Sequence, residues 1–110
     1  MASFNPRPQE SDMIREMAHI TVKPGTQADF EAGVRQALPI FHRARGCKRV
    51  ELHHIIENPQ QYVLMVYWET LEDHMVHFRQ SDDFQAWRGL VGGFFEKAPE
   101  VVHSEVRIEG

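Results

Sequence analysis

The side chains best suited to chemistry gather in and after one stretch, Tyr62 to His77, where an apolar run ends in Trp68 and is followed by His74 and His77. Histidine is the side chain whose ordinary pKa lies near neutrality, so either imidazole can take a proton from a weak acid. Residues three apart on a helix share a face, which would set the two rings side by side. Arg88 supplies a fixed cation for the anion left when a proton departs. Trp68, Trp87 and Phe84 offer aromatic walls, and His19 is a further substrate contact. The candidate catalytic set is therefore His77, His74 and Arg88. The candidate binding set is Trp68, Trp87, Phe84 and His19. Plainer readings stay open beside these. Either histidine could sit at a packing seam or in solvent, Trp68 could be core, and Arg88 could pair with a surface carboxylate.

Other chemistries are poorly served. There are seven histidines but one cysteine, Cys47. His74 and His77 could supply two metal ligands, yet a site needs a third and usually a fourth. His53 and His54 point to opposite sides of a strand, so no metal is expected. Cys47 follows a helix C-terminus, where the dipole disfavours a thiolate, and it cannot form an internal disulfide. A phosphate-binding glycine loop, a dinucleotide fingerprint and a nucleophile elbow are all missing. The net charge is −4 without a basic run, which argues against nucleic acid as a partner. No apolar run approaches the roughly 18 residues that span a bilayer. The first residues lack the apolar core of a signal peptide, so a cytoplasmic location is expected.

The elements that must position these residues can be read in order. Residues 1–12 are polar and proline-bearing and predict a flexible arm; residues 13–110 form a single domain. Met13–Val22 predicts a strand with Ile14, Ala18, Ile20 and Val22 on one face and Glu16 as the exception. Lys23-Pro24-Gly25 ends it. Thr26–Arg45 predicts a helix capped by Thr26, with Phe30, Val34, Leu38 and Phe41 as its apolar stripe. Pro39 should kink or break it, and Gly46 suits a left-handed C-terminal cap. Cys47–Glu57 predicts a second strand, Asn58–Gln61 a hairpin connection, and Tyr62–Trp68 a third strand. A second helix in two pieces follows. Thr70 caps the first piece, about 71–79, and Ser81 caps the second, whose stripe is Phe84, Trp87, Val91 and Phe94 or Phe95. Val101–Ile108 predicts the last strand, with Val102, Val106 and Ile108 alternating against His103, Glu105 and Arg107.

The order β-α-β-β-α-β is that of a ferredoxin-like α+β fold, a four-stranded antiparallel sheet with both helices on one face. Strand Tyr62–Trp68 is apolar or aromatic throughout, so both its faces require cover. Helices cover one face; a second copy packed sheet to sheet would cover the other, giving a homodimer.

The residues that carry a family likeness are Lys23-Pro24-Gly25, Pro39, Gly46-Cys47 and Asn58-Pro59. With them go Tyr62-x-Leu64-x-x-x-Trp68-Glu69-x-x-Glu72-x-His74-x-x-His77 and Ser81-x-x-Phe84. In their order and spacing over Met13 to Ile108 the chain resembles the antibiotic biosynthesis monooxygenase superfamily of dimeric α+β barrels. The resemblance implies a homodimer with a pocket between helices and sheet in each subunit. It also implies several activities, among them cofactor-independent oxygenation, heme degradation and isomerisation. Ala18, His77 and Trp87 stand where the heme-degrading branch has Asn, Trp and His, so that triad is not kept. Trp68 and Arg88 match the aromatic-polyketide branch, while His74 and Leu64 replace its Tyr and Asn. His77 falls nine residues after Trp68, as in the quinol-oxidising members.

Triplet oxygen reacts slowly with closed-shell molecules. A cofactor-free enzyme must therefore deprotonate a substrate whose anion gives up an electron easily. That needs a base near neutral pKa, a cation and a dry aromatic pocket. The expected function is cofactor-independent oxidation of a small phenolic or quinol-like compound with O2, without added cofactor. The alternatives are a non-catalytic ligand-binding or accessory dimer, or an isomerase or heme-binding relative on the same fold.

Overall fold

A computed structural model describes residues 12–110. All but the last residue of the arm expected at 1–12 lies outside the described residues. Four strands and two α-helices follow one another as β1 (Ile14–Thr21), α1 (Gln27–His42), β2 (Cys47–His54), β3 (Gln61–Trp68), α2 (Asp82–Val91) and β4 (Glu100–Ser104). A π-helical turn (Asp73–Phe78) precedes α2 and a 3₁₀ turn (Gly92–Phe94) follows it. The sheet is antiparallel throughout, in the order β2-β3-β1-β4. This is the α+β ferredoxin-like fold that the element order implies.

Alternation along the strands sorts side chains into two layers. On β1, Glu16, Ala18 and Ile20 turn inward, and on β3 Tyr62, Leu64, Val66 and Trp68 do the same. Helix α1 closes over them with Phe30, Val34, Ala37, Ile40 and Phe41. It meets α2 closely where Gly33 passes the Leu90 carbonyl, too near for a Cβ to fit without movement. The other side of the sheet is partly covered from within the chain. Arg15 and Arg49 lie over the Tyr67 ring, 5.1 and 5.3 Å from its centroid, a contact that suits a guanidinium on an aromatic face.

Several local expectations change. The Thr26 hydroxyl donates to the Lys23 carbonyl at 2.7 Å and does not cap α1. Pro39 lies within α1, which runs on to His42 without a break. Strand β2 ends at His54, because the hairpin turn begins at Ile55, and Ile56 is exposed. Strand β4 ends at Ser104 instead of Ile108. Its partner is β1, and Ser104 already pairs with Arg15, so residues beyond it run past the end of the ladder. The caps at Thr70 and Ser81 form, accepting from the Asp73 and Phe84 amides at 3.1 and 3.2 Å.

Candidate active site

Glu16 is the position least expected from packing. The residue is only 6% exposed, on a central strand and on the face that builds the core. The register sets it opposite Val66 on β3 and His103 on β4. A carboxyl taken out of water costs several kcal/mol unless it is hydrogen-bonded. Two side chains answer that need. The Trp68 indole N–H donates to Glu16 Oε1 at 3.0 Å, and His74 Nε2 lies 3.3 Å from the same oxygen. His74 continues outward, its Nδ1 2.8 Å from His103 Nε2. Which ring nitrogens carry the protons depends on the tautomers.

The turn after β3 brings His74 to this place. The chain winds there with an i→i+5 bond, Arg79 N–H to the His74 carbonyl at 3.0 Å, so each turn holds more residues than in an α-helix. Residues three apart then no longer share a face. His74 turns fully inward and stacks on Trp68, ring centroids 5.3 Å apart and 17° between planes. His77 turns outward and is exposed.

Burial governs the protonation of the group. It pushes the Glu16 carboxyl up to about 7, against the opposing pull of the Trp68 hydrogen bond and the Arg79 charge. Burial pushes His74 down to about 4, helped by the neighbouring His103 and by Arg79. His103 is lowered too, by burial and then by Arg79. Near neutrality the contact between Glu16 and His74 is thus a neutral imidazole against a carboxyl close to half ionised, and not an ion pair.

Glu16 and His74 line a cavity of about 470 Å³, in the size range of small-molecule sites. Ala18, Ile20 and Leu64 contribute its sheet side, and Phe84, Trp87 and Phe95 its aromatic side. Three exposed cations, Arg79, Arg88 and Lys97, also border it. Among the described residues, none of these three is ion-paired with a carboxylate. The combination can take a proton from a weakly acidic ligand and hold the resulting anion beside aromatic surface. Among the described residues no group of three or more His, Cys, Asp or Glu side chains is placed to hold a metal ion.

The structure brings His74, Arg88, Trp87 and Phe84 to this cavity. Trp68 lies behind it, fully buried, where it holds Glu16 and backs His74 instead of forming a wall. His77 is not in the cavity; it borders a separate hollow with Arg45, Glu69 and Asp73. His19 is exposed and lines a smaller hollow with Gln61 and Glu100. Glu16 and His103 are absent from the candidate set read from the sequence. Glu16 carried a signal, as the one charged residue on an otherwise apolar strand face. His103 carried none, because its partner depends on the register of β4 against β1.

A family model described as antibiotic biosynthesis monooxygenase matches residues 13–90. The chain is 40% identical over 91 residues to the uncharacterized protein YczJ of Bacillus subtilis, covering 83% of this chain and 96% of that protein. It is 58% identical to a solved structure of a candidate antibiotic biosynthesis monooxygenase from Bordetella bronchiseptica. That superposition has a TM-score of 0.87 and covers 88% of this chain and 99% of the other. It also shares its fold with SnoaB, a cofactor-independent oxygenase from Streptomyces nogalater, at 18% identity and a TM-score of 0.76, over 89% and 96% of the two chains.

Proposed function

This chain belongs to the antibiotic biosynthesis monooxygenase family, and from that premise we propose that it oxidises a small phenolic or quinol-like substrate with O2, using its own side chains and no cofactor. The observation that carries this reading is the buried Glu16–His74 pair in a cavity with aromatic walls and a cationic border. The base is Glu16, held by His74 and Trp68; His77, exposed in another hollow, leaves that role.

The reaction follows from the groups present. Glu16 removes the phenolic proton. An ordinary phenol near pKa 10 against a carboxyl near 7 is a deficit of about 3 pK units, or roughly 4 kcal/mol. Arg79, Arg88 and Lys97 reduce that deficit by stabilising the phenolate. The phenolate passes one electron to O2, and the radical pair joins at a ring carbon that bears hydrogen. Glu16 returns its proton to the peroxide so formed. It then removes the ring C–H proton as the O–O bond breaks. The product is a quinone carbonyl and hydroxide, which takes the proton back from Glu16 and leaves as water. One oxygen atom enters the substrate, the other becomes water, and the substrate supplies all four electrons, so no reductant is consumed.

The test is oxygen uptake by metal-stripped protein against a panel of naphthoquinols and polyphenols. Uptake above autoxidation, falling at least about a hundredfold in Glu16→Gln, is expected. Panel compounds that quench tryptophan fluorescence on binding but show no uptake would make the protein a binding module instead. We further propose a homodimer through the outward sheet face, where Met17, Met65 and Val102 stand in line across three strands. Sedimentation as a monomer at micromolar concentration would refute it.

A further inference from the structure

We propose that His103 is the outlet of a proton path by which Glu16 exchanges with solvent through His74, independently of the cavity mouth. Its use in catalysis rests on Glu16 being the base of the reaction above; the path itself does not. The cycle above restores the Glu16 carboxylate by itself, but a substrate that enters while Glu16 is protonated covers it and cannot react until that proton leaves; a second route lets it leave while the cavity is full.

The geometry supplies an unbroken chain. Glu16 Oε1 is 3.3 Å from His74 Nε2, and His74 Nδ1 is 2.8 Å from His103 Nε2. Glu16 and His74 border the cavity, whereas His103 does not. His103 is half-buried on the edge strand β4. Its Nδ1 has no side-chain or backbone partner among the described residues, and no such atom is both buried and unsatisfied, so it meets solvent.

An imidazole can accept at one nitrogen while donating from the other. With Glu16 protonated, the carboxyl donates to His74 Nε2, His74 Nδ1–H donates to His103 Nε2, and His103 carries its own proton on Nδ1. Transfer moves the Glu16 proton to His74 Nε2, the His74 proton to His103 Nε2, and the His103 proton to water. Both rings begin and end neutral, each in the opposite tautomer, and one proton has left. The lowered pKa values of His74 and His103 favour such neutral rings. The other charged or titratable groups facing this path are Arg79, after the π-helical turn, and Cys47, on β2. Arg88 on α2 borders the same cavity. Cys47 is pushed up to about 11 by burial and stays protonated over the range in which Glu16 titrates.

The deciding experiment follows the ¹⁵N shifts of both rings and the ¹³C carboxyl shift of Glu16 between pH 6 and 9, in the ligand-free protein. His74 should pass from Nδ1–H to Nε2–H with the midpoint of the Glu16 carboxyl. His103 should change in step. In Glu16→Gln neither ring should change. A His74 ring fixed in one tautomer across the range, or one that becomes imidazolium there, would overturn the path. The kinetic arm uses His103→Gln, which keeps a hydrogen-bonding side chain but cannot pass a proton. A fall in kcat of up to about tenfold at pH 6, vanishing by pH 9 where Glu16 is ionised before substrate enters, is expected for any substrate found in the uptake panel. An unchanged kcat at pH 6 would overturn the catalytic use. If no panel compound turns over, the monooxygenase reading fails, while the tautomer measurement still decides the path.

Discussion

Glu16→Gln should make the protein more stable in alkaline solution and leave it unchanged in acid. The carboxyl has an ordinary pKa of 4.5 and is pushed up to about 7 in the fold. Below 4.5 both folded and unfolded chains hold the proton. Between 4.5 and 7 the unfolded chain has released it and the folded chain has not, so stability falls by about 1.4 kcal/mol per pH unit. Above 7 both are ionised and the loss stops growing. The accumulated cost is 2.5 pH units, about 3 kcal/mol, and no solvent discount applies to a residue 6% exposed. His74 acts with the opposite sign. Its pKa is pushed down from 6.5 to about 4, so its contribution is complete above 6.5 and lost as pH falls towards 4. The two contributions therefore nearly cancel where their ranges overlap, and the difference between variant and parent isolates Glu16. Gln is close in shape and keeps an oxygen for the Trp68 N–H. Urea unfolding of both proteins at pH 4.5 and 8.5 measures the difference. The expected gain at pH 8.5 is about 3 kcal/mol, with a rise in Tm above about 10 °C for a domain of this size. A gain of the same size at both pH values, or none at 8.5, would refute the reasoning. A core residue that costs stability in this way is what a functional site retains.

Two further outcomes follow from the same geometry. His77→Ala should leave oxygen uptake within about twofold of the parent, because His77 borders another hollow, whereas the loss of a base costs about a hundredfold to a ten-thousandfold; a drop of about a hundredfold in the uptake assay would return His77 to the reaction. Gly46→Ala should lower stability by at least about 1–3 kcal/mol in thermal or urea unfolding, since Gly46 has φ +77° and an added Cβ would overlap the buried Asp73 carboxylate; an unchanged Tm would show that Asp73 moves aside freely.

The sequence by itself determined what local chemistry determines. Apolar periodicity located the strands and helices, Thr70 and Ser81 marked two caps, and Gly46 marked the left-handed position after α1. Element order then implied the sheet, because few topologies connect β-α-β-β-α-β. Those signals lie within a few residues of the structure they specify. The site does not. His74 and His77 looked equivalent at helical spacing, and only the π-helical winding turned one inward and the other out. Packing against Trp68 accompanies that winding, and it comes from β3, another part of the chain. Glu16 was visible as a charge on an apolar face, but its meaning needed the burial that α1, α2 and the sheet create together. His103 depended on a pairing between the first and last strands, set by the register of β1 against β4. Residue types and their order are written along the chain; burial, which raises one pKa and lowers another, exists only once distant segments have excluded water from the space between them.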